Sequence, residues 1–405
     1  MLGMAERFSG EWRSVKLSEI GYTYGGLSGK TKADFEHGTE KFITFLNVLN
    51  NTVINIRELA TVNVRKDERQ NKVKVGDIFF NASSETPEEV GMCAALLDDP
   101  GVCYLNSFCF GLRITRRDIS PLFLSYYFNS KVGRDFMRIF AQGSTRYNMS
   151  KTKFMQQSIT IPPLDEQIAI AETLSAFDLH LANLSELITK HEGIRAGALE
   201  DLLSGRTRLP GFRGEWRTVK LGELGKVKMC RRVFHSQTQS YGQVPFFKIG
   251  TFNTEPDAYI SRELFEEYKR LYPYPKKGNI LLSAAGTIGR TFFFDGRDAY
   301  FQDSNIVWLD ADPAKVDGRF LMYFYQTYPW QNLEGTAIRR LYNKMILDTP
   351  INLPPVDEQI AIAETLSTLD LNISNLKAEH AKISALRTAA INDLLTGTTR
   401  LERRH

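Results

Sequence analysis

From Ile170 onward, apolar side chains return in alternating steps of four and three: Leu174, Phe177, Leu181, Leu184 and Ile188. The register then continues through His191, Arg195, Ala198 and Leu202. The same rhythm runs through Ile362, Leu366, Leu369, Ile373, Leu376, His380, Ile383, Arg387, Ala390 and Leu394. A 3.5-residue period held this long marks the seam of a coiled coil, not the broader stripe of a helix lying on a globular core. Each stretch predicts one long helix. Pro162-Pro163 and Pro354-Pro355 stand just before them, where proline is tolerated. Asp165 and Asp357 fall near the N-cap with a glutamate following in the first turn, and Gly205 and Gly397 suit the stop. Two such helices in one chain most simply pack on each other, with Arg195 and Arg387 fixing register; about 35 residues make a rod of roughly 50 Å. A pseudo-twofold relation makes them antiparallel and places a domain at each end. The competing reading packs each helix on its own domain.

Between these stretches the period shortens. Strands are predicted in KFITFLNVLN (41–50), VGDIFFNAS (75–83), VCYLNSFCFGLRI (102–114), VPFFKIGTF (244–252), GNILLSAAG (278–286), RTFFFD (290–295) and NIVWLDA (305–311). A helix follows in each half, over PLFLSYYFNSKVGRDFMRIF and GRFLMYFYQTYPWQNLE. The class is α+β, with two mixed α/β domains separated by two long helices.

The halves are copies. IPPLDEQIAIAETLSAFDLHLANL (161–184) returns as LPPVDEQIAIAETLSTLDLNISNL (353–376), with 17 of 24 positions identical. Amphipathicity constrains only the apolar positions, so identity at Asp165, Glu166, Gln167 and Glu172 with Asp357, Glu358, Gln359 and Glu364 points to duplication. FSGEWRSVKLSEIG (8–21) matches FRGEWRTVKLGELG (212–225), and DLLSGRTRL (201–209) matches DLLTGTTRL (393–401). The domains are 1–160, a helix over 161–209, 210–352, and a second helix over 353–405. The tails stayed alike while the middles diverged.

Charge sharpens that contrast. Net charge is only +4 overall, but residues 1–160 carry +4 and 212–352 carry +5, against −4 for 161–211 and −1 for 353–405. Two basic domains alternating with neutral to acidic tails suggest two kinds of partner, one of them a polyanion. A 42% hydrophobic and 24% charged composition is globular, and no window approaches a membrane span. Four cysteines with no C-x-x-C pair argue against a disulfide framework or structural zinc. With no apolar signal core at the N-terminus, a reducing cytoplasm is the expected home.

The doubled P-P-x-D-E-Q-x-x-I-A-x-x-L segment, a long helix after each copy, and domains bearing G-D-I and A-G-T-I-G elements resemble the specificity subunit of a Type I restriction-modification system. The resemblance covers essentially the whole chain. It implies a non-catalytic, host-defence subunit with two target recognition domains, each reading one half of an asymmetric bipartite site on double-stranded DNA. The helices would set the gap and dock two modification (methyltransferase) subunits, with restriction subunits joining the larger complex. No cofactor is then expected in this chain; S-adenosylmethionine, ATP and Mg belong to those partners. Two basic domains on a rigid rod also suit half-sites about one helical turn apart, roughly 34–36 Å.

Enzymatic motifs do not support a rival reading. GGLSGKT (25–31) lacks the first glycine of a P-loop, where Tyr24 stands, and no apolar strand precedes it. A flexible loop offering Lys30 and Lys32 to phosphate is the better reading. The Pro-Pro pairs lack the flanking residues of an amino-methyltransferase motif, and the six histidines have no metal-ligand spacing. Arginine reads guanine and grips phosphate, lysine contacts phosphate, and Asn or Gln reads adenine. On that basis the candidate DNA contacts are Lys30, Lys32, Arg65, Lys66, Arg69, Lys72, Ser83, Ser84 and Arg146 in the first domain. In the second they are Arg231, Arg232, Lys248, Lys276, Lys277, Arg290, Arg339 and Arg340, each competing with a plain solvated charge. The alternative function is a two-headed scaffold bridging protein partners without sequence-specific DNA binding.

Overall fold

The computed structural model describes residues 10–86, 88–139, 141–142, 147–252, 254–330 and 340–401. The chain divides into two compact units that cut across the sequence domains: Met1–Ser185 with Ala378–His405, and Glu186–Lys377. Each unit therefore contains one domain, the first part of the helix that follows it and the last part of the other helix.

In unit 1 a four-stranded antiparallel sheet runs in the order Gly21–Gly25, Cys109–Ile114, Ile78–Asn81, Cys93–Ala95. A three-stranded sheet lies in the order Ala60–Val62, Glu40–Ile43, Cys103–Leu105, its last pair parallel. Arg13–Lys16 pairs with Ser158–Ile161, bringing the start of the domain beside its end. Unit 2 repeats the plan: Gly225–Lys228, Ile306–Ala311, Ile280–Ser283, Thr291–Phe293; then Tyr259–Ile260, Val244–Phe247, Tyr300–Phe301; and Arg217–Lys220 with Pro350–Leu353. Matching connectivity means that the diverged middles share one scaffold.

Some elements differ from the sequence reading. Only Glu40–Ile43 of the segment 41–50 is a strand. Phe45–Asn50 turns into a short helix because the Thr44 hydroxyl accepts the Asn47 N–H at 3.1 Å, an N-cap that local hydrophobicity conceals. The helix expected over 121–140 breaks into Pro121–Asn129 and Lys131–Arg138, since Ser130 caps the second piece. An unforeseen helix, Arg262–Leu271, starts where Ser261 accepts from the Leu264 N–H.

The long helices are Leu164–Ser204 and Val356–Leu394, 41 and 39 residues, or about 60 Å each at 1.5 Å per residue. Every residue at the four-and-three spacing is buried or half-buried, while most positions between them face water. In unit 1 Arg387 pairs with Asp178 and His380 lies 3.2 Å from the Ser185 hydroxyl. In unit 2 Arg195 meets Asp370 at 2.6 Å and Lys377 meets Glu192 at 2.7 Å. Numbers rise along one helix as they fall along the other, so the segments run antiparallel in each unit. The pairing is not a pure coiled coil. Ile170 and Leu174 enter the core of the first domain with Phe123, Phe128 and Ile159, joined there by Leu394 and Leu395. Ile362 and Leu366 do the same in unit 2, with Leu202. Both readings of the helices therefore hold in part: the first turns of each cover its own domain, the middle turns face the other helix, and the last turns enter the core of the other domain.

Candidate nucleic-acid interface

The repeated motifs converge on one joint in each unit. Glu166 is fully buried, and its carboxylate accepts from Arg400, whose Nε lies 2.9 Å away and whose guanidinium also reaches the Gly10 carbonyl at 2.8 Å. Gln167, equally buried, accepts the Ser120 N–H at 2.9 Å and donates to the carbonyls of Asp118 and Pro162, tying the helix start to its domain. Gly397 has φ +72, and a Cβ there would press on the Trp12 ring at 3.2 Å. Unit 2 repeats the arrangement with Arg208 on Glu358, Gln359 on the Asp317 N–H, and Gly205 (φ +74) against Trp216. The glutamates hold both arginines further above their ordinary pKa through charge-assisted hydrogen bonds. The F-x-G-E-W-R, P-P-x-D-E-Q and T-R-L segments are therefore a structural clasp. The sequence reading placed these glutamates in the first turn of each helix without a partner; their identity between copies was the available signal.

Just beyond each clasp, a tyrosine from the domain reaches the helix pair. Tyr126 donates to Asp178 at 2.7 Å and Tyr323 to Asp370 at 2.8 Å, the same aspartates that bind Arg387 and Arg195. Burial foremost pushes the Tyr323 hydroxyl up to about 12, with the Asp370 carboxylate adding to it. The seam register and the domain's position thus share one side chain.

The polar surface of unit 2 gathers around a cleft of about 510 Å³ lined by Arg232, His235, Thr238, Gln239, Ser240, Lys248, Asp257, Gln302, Asp303, Ser304 and Asn305. Its floor is the tight turn from Tyr300–Phe301 into Ile306–Ala311, where Ser304 takes φ +54, the one left-handed non-glycine residue among those described. Such a backbone persists when its surroundings over-determine it, and here Arg340 holds the Ser304 carbonyl at 2.8 Å. Arg232 pairs with Asp303 at 3.0 Å and Lys248 with Asp257 at 2.8 Å, both partly exposed and able to exchange carboxylate for phosphate. Gln302 is committed to the Ile249 N–H. The structure thus brings Arg232, Lys248 and Arg340 together.

The remaining unit 2 positions lie elsewhere. Arg231 stacks over the Tyr272 ring at 5.2 Å; Lys276 and Lys277 line a second groove with Tyr272 and Tyr274; Arg290 covers Phe252 at 5.7 Å. In unit 1 six of the nine candidate residues lie on two segments, 28–32 and 63–72, that are pinned to each other, Gln70 bridging to Ser28 through both its oxygen and its nitrogen. Lys30 does not offer itself to phosphate as expected. Its side chain is only 4% exposed, ion-paired with Glu68 and bonded to the Asn63 carbonyl. The loop Gly25–Thr31 is consequently anchored rather than free. Lys32, Arg65, Lys66, Arg69 and Lys72 remain exposed, Lys32 opening the short helix Lys32–Glu36 and Arg65 set against Asp67 and Glu68. Ser83 and Ser84 are buried in a short strand beside Tyr147 and Asn148, with the Ser84 hydroxyl on Glu89. A hydroxyl's chemistry is legible in sequence, but its burial is not. Arg146 and Arg339 lie outside the described residues.

Comparison with known proteins gives these faces a context. The family model described as Type I restriction modification DNA specificity domain matches residues 9–190 and again 213–385. A putative type I restriction enzyme specificity subunit of Haemophilus influenzae is 43% identical over 242 residues, 58% of this chain and 62% of that protein. A putative type I restriction enzyme specificity subunit of Methanocaldococcus jannaschii is 24% identical over 386 residues, 89% of this chain and 87% of that one. Among solved structures, the S subunit of a Type I restriction-modification system from M. genitalium has a TM-score of 0.55 at 15% identity, covering 96% of this chain and 99% of its own. The HsdS subunit from Thermoanaerobacter tengcongensis gives 0.51 at 18%, over 96% and 97%. At those identities the structural likeness speaks for the fold.

Proposed function

The chain belongs to the Type I restriction modification DNA specificity family, and on that premise we propose that it is the DNA-reading subunit of such a system, unit 1 and unit 2 each reading one half of an asymmetric site. The observation that carries this reading is a duplicated scaffold with matching clasps and unlike faces: charged loops in unit 1, a polar cleft over a strained turn in unit 2. A protein that merely bridged two identical partners would have no use for that divergence. Exposed arginine and lysine supply phosphate grip, and Gln239 and Asn305 at the cleft supply the amide edge that suits adenine.

The two long helices set the gap between half-sites and dock modification subunits. Leu179, Leu187 and Ile194 on one, and Leu371 and Leu386 on the other, stay exposed despite being apolar, which suits contact with protein. Methyl transfer and ATP-driven cleavage are assigned to those partner subunits. No metal-holding cluster of His, Cys, Asp or Glu occurs among the described residues. No described helix is long and apolar enough to cross a membrane.

Mapping methylated adenines in host DNA by direct sequencing tests this. One bipartite motif with unlike halves, lost on deleting the gene, is the expected result. Methylation at a bipartite site by this chain alone with S-adenosylmethionine would overturn the division of labour, and binding without sequence preference or steep salt dependence would overturn recognition itself.

A further inference from the structure

Unit 2 contains an open cavity of about 610 Å³ walled by Phe247, Phe252, Phe292 and Phe301, with Thr254 and Glu255 at its rim. Phe247 and Phe301 are stacked at 5.8 Å, and Phe292 lies 6.1 Å from Phe252 and 6.2 Å from Phe301. Arg290 lies over Phe252 with its guanidinium 5.7 Å from the ring, so a cation adjoins the aromatic wall.

The duplicated scaffold supplies its own control. The strand Glu40–Ile43 pairs with Cys103–Leu105 as Val244–Phe247 pairs with Tyr300–Phe301, so Ile43 and Leu105 take the places of Phe247 and Phe301. The Ile78–Ala95 and Ile280–Phe293 registers likewise put Ala94 where Phe292 stands, and Val48 follows Ile43 by the same five residues as Phe252 follows Phe247. Ile43, Val48, Ala94 and Leu105 all have no exposed surface and pack into one closed core. Unit 1 fills these positions with fully buried aliphatic side chains, whereas in unit 2 Phe252 and Phe301 are buried and Phe247 and Phe292, half-buried, turn part of their rings to the open cavity.

We propose that this cavity accepts a nucleobase turned out of the duplex in the half-site read by unit 2, and that unit 1 has no such site. Flat π-faces receive a base of any identity by stacking. The Glu255 carboxylate at the rim accepts hydrogen bonds but cannot donate them, which selects a base presenting an exocyclic amino group, adenine, cytosine or guanine, over thymine. The Arg290 guanidinium suits the phosphate that swings with it. Lys248 and Asp257 line the polar cleft while Phe252, Thr254 and Glu255, close to them in the chain, line the cavity. A nucleotide leaving DNA held at the cleft has this receptacle as its neighbour.

The inference rests on the DNA-reading proposal and is tested separately from it. With the bipartite site in hand, duplexes are prepared in which the partner of each base other than the methylated adenines, which a methyltransferase extrudes for itself, is replaced one at a time by an abasic residue, and binding by the full chain with its modification subunits is measured. Removing the opposite base lowers the cost of extrusion, so binding should tighten about tenfold at one position of the unit 2 half-site and at none in the other. Thr254→Trp, a change at an exposed rim position that blocks the mouth, should erase that gain while sequence preference remains; Glu255→Gln should shift the preferred extruded base. Tight, sequence-specific binding with no position that tightens, or a gain that survives Thr254→Trp, overturns the inference and leaves the reading of function intact. No sequence-specific binding to any duplex overturns both.

Discussion

Replacing Arg400 with methionine removes the cation that sits on the Glu166 carboxylate in the clasp of unit 1. Glu166 has no exposed surface, whereas the Arg400 side chain is 27% exposed. Stranding the buried anion should cost about 3–5 kcal/mol. The opposite change is gentler. Glu166→Gln leaves a guanidinium that keeps water and the Gly10 carbonyl, together with an amide oxygen that still accepts, so about 1–2 kcal/mol is expected. The prediction is therefore an asymmetry as well as a size. Urea unfolding followed by hydrogen exchange separates the units: amides of Ser158–Ile161 report on unit 1 and those of Pro350–Leu353 on unit 2. With a urea slope of about 2–3 kcal/mol/M, Arg400→Met should lower the unit 1 midpoint by roughly 1–2 M. The unit 2 midpoint should move far less. A loss below about 0.5 kcal/mol, or a greater loss from Glu166→Gln than from Arg400→Met, would refute the account of the clasp as a buried charge held by one partner.

Three further outcomes follow from the same geometry. Inserting seven residues into both helices, after Ser185 and after Lys377, should lengthen the permitted gap by about three base pairs, since seven residues add roughly 10 Å at 1.5 Å each; methylation mapping should find both half-sites unchanged, and altered half-sites with an unaltered gap would count against the spacer role. Burial raises Tyr323 to about 12, so its contribution to unit 2 is complete below the unfolded tyrosine value near 10 and fades as pH climbs through about 12; alkaline unfolding should lose that component in Tyr323→Phe. Changing Lys66 and Arg69 to alanine should weaken binding to all DNA sequences alike and flatten the salt dependence by about 0.9 for each phosphate no longer neutralised, whereas a change confined to particular base pairs would mark them as base readers.

The chain's periodicities are local, and what depends on them was legible without coordinates. The step of four and three from Ile170 and Ile362 determined the long helices and which of their residues turn away from water, because helical geometry alone relates positions so close in sequence. The duplication determined that two scaffolds exist and which faces differ. Partnership over long separations was not legible. Glu166 meets Arg400 across 234 positions, and Lys30 meets Glu68 through folded loops. A charge in a sequence carries no record of whether another chain segment will neutralise it. Burial is decided the same way: Ser83 and Ser84 read as polar contacts, yet they lie inside a sheet. Phe247 and Phe292 stand in predicted strands, yet their rings are only half-buried and border open space, because whether a ring is covered depends on every neighbour that the tertiary structure brings or withholds.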